Sequence, residues 1–326
     1  MEPAWDFAEI IEENTQRHAP SSLNDPPQAT PSWSPFNEFQ GISDTSFLYT
    51  LSDRNACPKC KKPVKYFCYL CFEVVGCPRE NVPKVKLPVK MDVIKHENEL
   101  DGKSTAVHAK IIAPDEVEIY PWNKVPEYAD PDNVLLLFVG KDAKTLSQIP
   151  KGSFSKLVVV DGTWAQATKM VRETPQLARM RHVTIAPRKT LFWRFQNKDE
   201  NHLATIEAIY YFFREYYDTY EAGTKTRSEG GVISELDLES RGQEQPETAW
   251  VEGNADRTLP LLQQTTDGSG SAPVSTLHEK TYDGRYDDLL FYYKFFYEMI
   301  QGKYRQDRGK RAFNKRQREG YIQYED

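Results

Sequence analysis

The sequence lacks any run of apolar residues long enough to cross a membrane, for which a helix needs about 20 of them. Residues 1–13 contain no lysine or arginine, whereas secretory signals and mitochondrial transit peptides both carry basic residues. Cysteine is scarce, with 5 among 326 residues, all between Cys57 and Cys77. We therefore expect no membrane association and a location in the nucleus or cytoplasm.

The sequence also lacks an overall excess of positive charge, since its net charge is −6. Its acidic residues, however, are unevenly distributed. Residues 1–45 carry a net charge of −7 and residues 221–256 a net charge of −6, which leaves +7 on the rest. Aromatic residues make up 12% of the chain, enough for a substantial packed core. The folded part is therefore predicted to be basic, which suits a nucleic-acid partner.

Composition divides the chain into six parts. Two acidic stretches rich in Pro, Ser or Gly cannot bury enough apolar surface to fold, and ordered segments lie between and after them. The predicted parts are a disordered arm at 1–45, a cysteine-containing module at 46–80, an α/β domain at 81–222, a disordered acidic insertion at 223–281, a further helix of the α/β domain at 282–302, and a basic tail at 303–326.

The α/β domain is predicted from apolar runs that alternate with helical patterns. Residues 133–140 and 156–161 are continuous apolar runs, as expected of strands buried in a parallel sheet. Further strands are predicted at 93–95, 106–112 and 183–186. A helix is expected after Asp161, because Thr163 and Gln166 have the spacing of a capping box. An amphipathic helix is predicted at 203–217, and the aromatic helix at 286–300 is expected to pack against it.

Four of the cysteines have the spacing of a metal site. Cys57 and Cys60 form one C-x2-C pair, and Cys68 and Cys71 form another. Two such pairs supply a tetrahedral shell of four thiolates, which suits a structural Zn²⁺ with no open coordination position. A redox pair or plain free thiols are the alternatives, and Cys77 is interpreted as a small buried apolar residue.

A second candidate site lies where the predicted strand 156–161 ends. Asp161, Gly162, Thr163 and Trp164 connect this strand to the following helix, and ligands of open α/β sheets gather at the carboxyl ends of the strands. The glycine permits a tight turn, the helix start offers amide donors, and the indole offers a surface for stacking. A plain helix cap beside a core tryptophan explains the same residues equally well.

Residues 188–194 interleave three cations with two aromatic rings. Such a segment suits nucleic acid, with cations for phosphates and rings for bases, although Arg188 or Arg194 could instead hold a ligand carboxylate. A partly buried strand is the structural alternative. Thr205 is predicted to cap the next helix, and Glu207 either stabilises its first turn or holds a ligand amine.

Taken together, these segments resemble the DTW-domain family. The resemblance rests on the order and spacing of the cysteine pairs and of segments 161–166, 188–194 and 203–211, and it covers roughly residues 46–222 and 282–301. It implies that the α/β domain is catalytic. It also implies a fold similar to the knotted methyltransferases of the SPOUT type, a rare exception to un-knotted topology, with a mostly parallel sheet, flanking helices and a preceding zinc-knuckle module.

The resemblance further implies an activity. It is the transfer of the 3-amino-3-carboxypropyl group of S-adenosylmethionine to N3 of a uridine in tRNA, with release of methylthioadenosine. The implied roles are catalytic for Asp161, Thr163 and Trp164, and cofactor-binding for Phe138, Gly140, Gly162, Gln166, Arg188, Thr205 and Glu207. The residues themselves predict RNA binding by Lys189, Trp193 and Arg194, RNA binding by Lys310 and Arg311 of the basic tail, which lies outside the resemblance, and zinc binding by Cys57, Cys60, Cys68 and Cys71.

One segment departs from the family pattern. The family often has a proline after the strand that here continues as Phe138, Val139 and Gly140, and this chain has none there. The departure bears on the rigidity of a cofactor-binding loop, and so on the contacts expected from Phe138 and Gly140.

The chemistry requires a proton acceptor, because N3 of uridine loses its proton as it attacks carbon. Asp161 is the candidate. The positive sulfur of S-adenosylmethionine already activates the three carbons bonded to it. The enzyme therefore mainly selects which of these carbons faces N3. We expect Asp161→Ala to abolish turnover with little effect on folding.

The basic tail has two readings: nonspecific phosphate affinity, or a nuclear address built on pairs such as Lys310 and Arg311, which favours a nuclear location. A solvated charged helix is the structural alternative. Two other functions fit the same residues, namely an RNA methyltransferase with the same cofactor and a non-enzymatic zinc-knuckle RNA-binding protein.

Overall fold

The computed structural model describes residues 34–51, 53–193, 201–222 and 282–306. The chain divides into two compact units, of which one comprises Met1–Gly223 with Thr281–Asp326 and the other Thr224–Lys280. The second unit lies wholly outside the described residues. Of the predicted site residues, Arg194, Lys310 and Arg311 also lie outside them, as do the predicted insertion, residues 1–33 of the predicted arm and most of the basic tail.

A parallel sheet of five strands forms the centre of the first unit. Its strand order is β4-β3-β6-β5-β7, and its strands are β3 (Lys90–Lys95), β4 (Val117–Pro121), β5 (Val134–Leu137), β6 (Lys156–Asp161) and β7 (Arg181–Val183). A separate antiparallel hairpin joins β1 (Asn55–Ala56) to β2 (Pro63–Val64). The predicted strands at 93–95, 133–140 and 156–161 are confirmed in substance. The strand predicted at 183–186 is observed two to three residues earlier, as β7.

Helices cover both faces of the sheet. They are α1 (Phe47–Thr50), α2 (Ala106–Ile112), α3 (Trp164–Glu173), α4 (Pro175–Ala178), α5 (Thr205–Tyr216), which continues as a π-helical turn at Tyr217–Glu221, and α6 (Phe291–Gln306). Single 3-10 turns occur at Pro35–Glu38, Arg79–Asn81, Trp122–Lys124, Pro131–Asn133, Leu146–Gln148 and Asp287–Leu290.

The predicted strand at 106–112 is wrong, because the segment is helix α2. All of its residues except Lys110 are buried, so the sequence shows no polar face from which to read a period. A short, fully buried apolar run cannot be identified as helix or strand from periodicity alone.

Aromatic residues of α5, of α6 and of the helical turn directly before α6 form the core on one face of the sheet. The ring of Phe213 lies 5.7 Å from that of Tyr286, and the hydroxyl of Tyr210 donates to Asp287 Oδ1 at 3.0 Å. The predicted packing between these two helical segments is thus confirmed. A smaller apolar cluster, which includes Ile94 and Met170, lies between the other face and α3.

The N-terminal prediction is wrong for residues 34–45, which belong to the folded unit. The ring of Phe36 is buried 5.3 Å from that of Tyr297, and the hydroxyl of Ser34 donates to Glu298 Oε1 at 2.9 Å. Acidic composition concealed this contact because a single buried aromatic residue can anchor an otherwise polar segment.

Within the described ranges, no helix combines the length and the apolar character needed to span a bilayer.

Candidate functional site

The carboxyl ends of β3 and β6 bring the first candidate residues together. Lys95 and Asp161 are register partners at the ends of these adjacent parallel strands. Gly162 follows directly, where an added Cβ would lie 3.0 Å from Gln166 Oε1 and 3.2 Å from His96 Cβ. A larger residue would therefore require the side chains of Gln166 and His96 to shift by a few tenths of an ångström. Asp161 and Gly162 thus lie at the carboxyl edge of the parallel sheet, as the sequence predicts.

Asp161 is the centre of a buried hydrogen-bond network. Its carboxylate, in a residue only 2% exposed, accepts from Ser104 Oγ at 2.6 Å and from Thr205 Oγ1 at 2.6 Å. Burial raises the pKa of Asp161 above its ordinary value, while the two hydroxyl donors and the charge of Lys95 act in the opposite direction. The residue thereby links the segment before α2, the end of β6 and the start of α5.

Sequence reasoning found Asp161 and Thr205 but missed Ser104, Lys95 and Asp101. The ammonium of Lys95 forms an ion pair with Asp101, in the turn that follows β3. The sequence indicates only that Lys95 ends one predicted strand, just as Asp161 ends another. It contains no comparable signal for Asp101.

Thr163 and Gln166 form the predicted capping box. Gln166 Oε1 accepts from the Thr163 amide at 2.7 Å, and Thr163 Oγ1 accepts from the Gln166 amide at 3.3 Å. Both side chains are thus engaged in starting α3, which supports the structural explanation of these two residues. Their catalytic and cofactor-binding roles stay predictions.

A partly exposed aromatic cluster lies beside the turn. The indole of Trp164 lies 4.7 Å from the ring of His202 and 6.2 Å from that of Phe138, and Phe138 lies 6.4 Å from His182. Val139, the next residue, is 56% exposed. Such a surface suits a planar ring system, because aromatic side chains stack on any base.

Strand β7 contributes an unsatisfied polar atom beside the loop that follows β5. His182 Nε2 is buried and has no hydrogen-bond partner within the described ranges. A Cβ added at Gly140 would lie 2.9 Å from Nδ1 of the same imidazole. The structure therefore places Phe138 beside Trp164 and His182, and Gly140 beside His182, while the cofactor-binding roles of Phe138 and Gly140 stay predictions.

Glu207 faces the protein interior. Its carboxylate accepts from Thr190 Oγ1 at 2.6 Å and from the amides of Leu191 and Ala204, both at 2.7 Å. Burial raises the pKa of Glu207, and these donors oppose the shift. A contact with a ligand amine would require Glu207 to give up its donors. The geometry thus supports a role in fixing segment 190–191 to α5.

The predicted cap of α5 is also wrong by one residue. Ala204 has the extended backbone of an N-cap, whereas Thr205 is the first helical residue. This shift frees the hydroxyl of Thr205 from capping, and it donates to Asp161 instead.

The arginine segment is divided between surface and core. Arg188 and Lys189 are exposed, and the guanidinium of Arg188 lies 5.1 Å from the ring of Tyr211 and 3.6 Å from Glu215 Oε1. Trp193, by contrast, is 5% exposed and packs 5.1 Å from Tyr293. The prediction that Trp193 contacts RNA is contradicted, because its ring serves the core.

The four predicted metal ligands converge at one point. The sulfur atoms of Cys57, Cys60, Cys68 and Cys71 all lie within 4.8 Å of one another, and those of Cys60 and Cys68 are 3.6 Å apart. A tetrahedral Zn²⁺ with bonds of 2.3 Å separates its sulfur ligands by ~3.8 Å. The cluster can therefore hold a metal ion. Cys77, predicted as buried, is partly exposed.

Two backbone turns of the same design present these sulfurs. The amide of Lys61 donates to the carbonyl of Cys57 at 2.9 Å, and the amide of Phe72 donates to that of Cys68 at 2.8 Å. Both donor residues have positive φ, of 63° and 59°, directly after the second cysteine of each pair. The repetition of a strained conformation at matching positions indicates a structural requirement, since non-glycine residues rarely adopt it.

The cysteine module packs on the aromatic core. The ring of Phe67 lies 4.7 Å from Tyr292 and 5.7 Å from His108, and Tyr66 lies 4.9 Å from Phe295. A metal bound by the cysteines would therefore stabilise the packing of this module against α2 and α6. This position indicates a structural role for the metal.

Comparison with known proteins gives a consistent result. A family profile described as DTW domain matches residues 54–301. The tRNA-uridine aminocarboxypropyltransferase 1 of Xenopus tropicalis is 31% identical over 291 residues, covering 76% of this chain and 79% of its own. The Homo sapiens protein of the same name is 31% identical over 299 residues, covering 77% and 78%.

A more distant similarity connects the chain to a second group. The tRNA-uridine aminocarboxypropyltransferase 2 of Drosophila melanogaster is 27% identical over 145 residues, covering 40% of this chain and 54% of its own. No solved structure matches the chain.

Proposed function

The chain belongs to the DTW-domain family, and we propose that it is a tRNA-uridine aminocarboxypropyltransferase. The donor would be S-adenosylmethionine, the acceptor N3 of a uridine in tRNA, and the by-product methylthioadenosine. The observation that carries this proposal is the similarity to proteins of that name over more than three quarters of both chains. The Asp161–Trp164 turn at the carboxyl edge of a parallel sheet agrees with it.

The residues around the turn fit such a donor. Its sulfonium would supply an activated carbon, and the protein would position it. The rings of Phe138 and Trp164 offer a stacking surface for adenine or uracil, and the orphaned His182 Nε2 offers a polar contact. Arg188 is an exposed cation able to hold a carboxylate or an RNA phosphate.

We propose that the N3 proton reaches Asp161 through the hydroxyl of Thr205. As the N3–H bond breaks, Thr205 Oγ1 accepts the proton and passes its own to Asp161 Oδ1, 2.6 Å away. Thr205 is partly exposed while Asp161 is buried, so the hydroxyl is the accessible member of the pair. The raised pKa of Asp161 makes the carboxylate a better proton acceptor than an ordinary aspartate.

The metal of the cysteine cluster is proposed to be Zn²⁺ in a structural role. Four thiolates with no further ligand suit Zn²⁺, and the ion would stabilise a module too small to fold on an apolar core of its own.

The knotted topology of the SPOUT type, the tRNA contacts and the nuclear location also belong to the proposal. An all-parallel sheet in which β6 lies between β3 and β5 is compatible with that topology. Exposed Arg188 and Lys189 support RNA contact beside the site. The basic sequence of residues 303–326 supports either phosphate affinity or a nuclear address.

The by-product tests the reaction directly. Purified protein incubated with S-adenosylmethionine and an unmodified tRNA should release methylthioadenosine only when tRNA is present. Release of S-adenosylhomocysteine instead would replace aminocarboxypropyl transfer with methyl transfer.

A further inference from the structure

Segment 54–90 concentrates positive charge that the proposed reaction does not use. It contains nine basic residues and two acidic ones, a net charge of +7 in a chain whose total is −6. The segment comprises the cysteine module and the chain that leads from it into β3. Such a local excess attracts polyanions irrespective of the net charge of the whole protein.

The chain before β3 presents its lysines as a row. Val85, Leu87 and Val89 are buried, whereas Lys84, Lys86 and Lys90 are exposed. Burial alternates along residues 84–87 as in extended backbone, where residues two apart lie about 6.7 Å from each other on the same side, and a bend at 88–89 then leads to Lys90. Burial of the alternate apolar residues therefore holds the lysines on the solvent side.

The charges of this row are not neutralised by acidic partners. Lys84 and Lys86 form no ion pair with any described residue, and the ammonium of Lys90 donates to the backbone carbonyl of Asp115 at 2.8 Å. A backbone carbonyl leaves the charge of the lysine intact. The row thus offers three cations to an external anion.

The cysteine module adds two more exposed cations between its backbone turns. Lys61 and Lys62 are exposed, and the ammonium of Lys61 donates to the carbonyl of Pro58 at 2.9 Å. Lys59 differs from them, because Glu73 Oε1 lies 2.6 Å from its ammonium and neutralises it. Lys61 and Lys62 therefore carry the available charge of the module.

The lysine row lies at the edge of the sheet opposite the catalytic turn. Lys90 begins β3, and Lys95, which ends it, is the register partner of Asp161. Five residue steps along a strand separate these edges by about 17 Å. The row cannot reach the reacting uridine, but a folded tRNA is large enough to contact both edges.

We propose that two groups of lysines, Lys61 and Lys62 in the cysteine module and Lys84, Lys86 and Lys90 in the row, bind phosphates in the body of the tRNA, away from the modified uridine. The proposal rests on the proposed function. Lysines without interleaved exposed aromatic rings recognise backbone phosphates and not bases, so this surface would add affinity without sequence preference.

Two double variants test the two groups of lysines, K61Q/K62Q and K84Q/K86Q. Each should raise KM for tRNA about tenfold at moderate salt and lower the slope of log KM against log salt by roughly 1.5, since each phosphate contact contributes about 0.7–0.9. The value of kcat at saturating tRNA and the metal content should stay at wild-type values. K84R/K86R, which preserves the charge, should keep the wild-type KM.

The control removes two exposed cations that, unlike the lysines of the row, have an acidic neighbour, Glu173. K169Q/R172Q changes two exposed cations on α3, and it should leave KM and the salt slope unchanged. Wild-type KM and slope in both lysine double variants would overturn the proposal, and so would a loss of kcat without a change of KM. If the wild-type protein shows no turnover, the proposed function fails, and the dissociation constant for bulk tRNA then decides this inference with the same expected fold-change.

Discussion

Asp161 is held by two hydroxyl donors in place of water, and this explains how a carboxylate can be buried at the proposed site. Ser104 and Thr205 satisfy both carboxylate oxygens at 2.6 Å, so the carboxylate is tolerated in the interior. The same contacts fix the end of β6 against α5. At the scale of single residues, one side chain therefore has a structural role that the contacts show and a chemical role that we propose.

Asp161→Asn should separate the two roles. The amide keeps the shape of the carboxylate but cannot accept a proton, so we expect kcat to fall by about 10²- to 10⁴-fold while the melting temperature changes little. Asp161→Ala should in addition lower the free energy of unfolding by about 1–3 kcal/mol, because two buried hydroxyls lose their acceptor. The expectation of unchanged folding in Asp161→Ala is thus revised. Near-normal turnover in Asp161→Asn would remove this residue from the chemistry.

The raised pKa of Asp161 gives two pH dependences of opposite sign. Turnover needs the ionised carboxylate, so kcat should fall as pH is lowered through the raised pKa. Stability behaves otherwise, because an acid with a raised folded-state pKa stabilises the fold at low pH and loses that contribution as pH rises through it. The unfolding free energy of the wild-type protein minus that of Asp161→Asn should therefore decrease with rising pH. A constant difference in denaturant titrations across this range would contradict the assignment.

Thr205 tests the proton path. Thr205→Val preserves the shape of the side chain but removes the hydroxyl, and we expect kcat to fall at least tenfold with little change in KM for tRNA. Thr205→Ser keeps the hydroxyl and should restore most of the activity. Equal activity in the valine and serine variants, measured in single-turnover reactions, would show that the proton takes another path.

At the scale of elements, local signals were sufficient for some predictions. The apolar runs of β5 and β6 and the Thr163–Gln166 capping box depend on neighbouring residues and could be read from the sequence. Ser104 could not be found, because its partner lies 57 positions away. Trp193 was misassigned because interleaved cations and rings do not reveal which ring is buried.

The cysteine module makes a prediction at the same scale. Because Tyr66 and Phe67 pack from it onto α6 and α2, removal of the metal by a strong chelator should lower the melting temperature of the whole folded unit. Cys60→Ser should reproduce the effect and lower the bound zinc measured by atomic absorption, while Cys77→Ser serves as the control. A metal-free protein of unchanged stability would exclude a structural metal.

At the scale of the whole molecule, the arrangement of charge matters more than its total. A net charge of −6 conceals a strongly basic segment at 54–90 and a basic sequence at 303–326. The sequence could show this distribution, but only the structure shows that the row of lysines before β3 faces outward.

Deletion of residues 307–326 tests the contribution of the tail. If the tail contacts phosphates, the deletion should weaken tRNA binding and reduce its dependence on salt, with turnover at saturating tRNA preserved. Filter binding over a range of salt concentrations measures both quantities. An unchanged slope would favour the nuclear-address interpretation of Lys310 and Arg311.

The most direct test of the central claim is mass spectrometry of nucleosides from tRNA that the pure protein has modified. Two parallel reactions would use S-adenosylmethionine labelled either in the methyl group or in the aminocarboxypropyl group. The account predicts a uridine that is heavier by the aminocarboxypropyl group and that carries label only in the second reaction, with Asp161→Asn giving little of it. A methylated base that carries label only in the first reaction would contradict it.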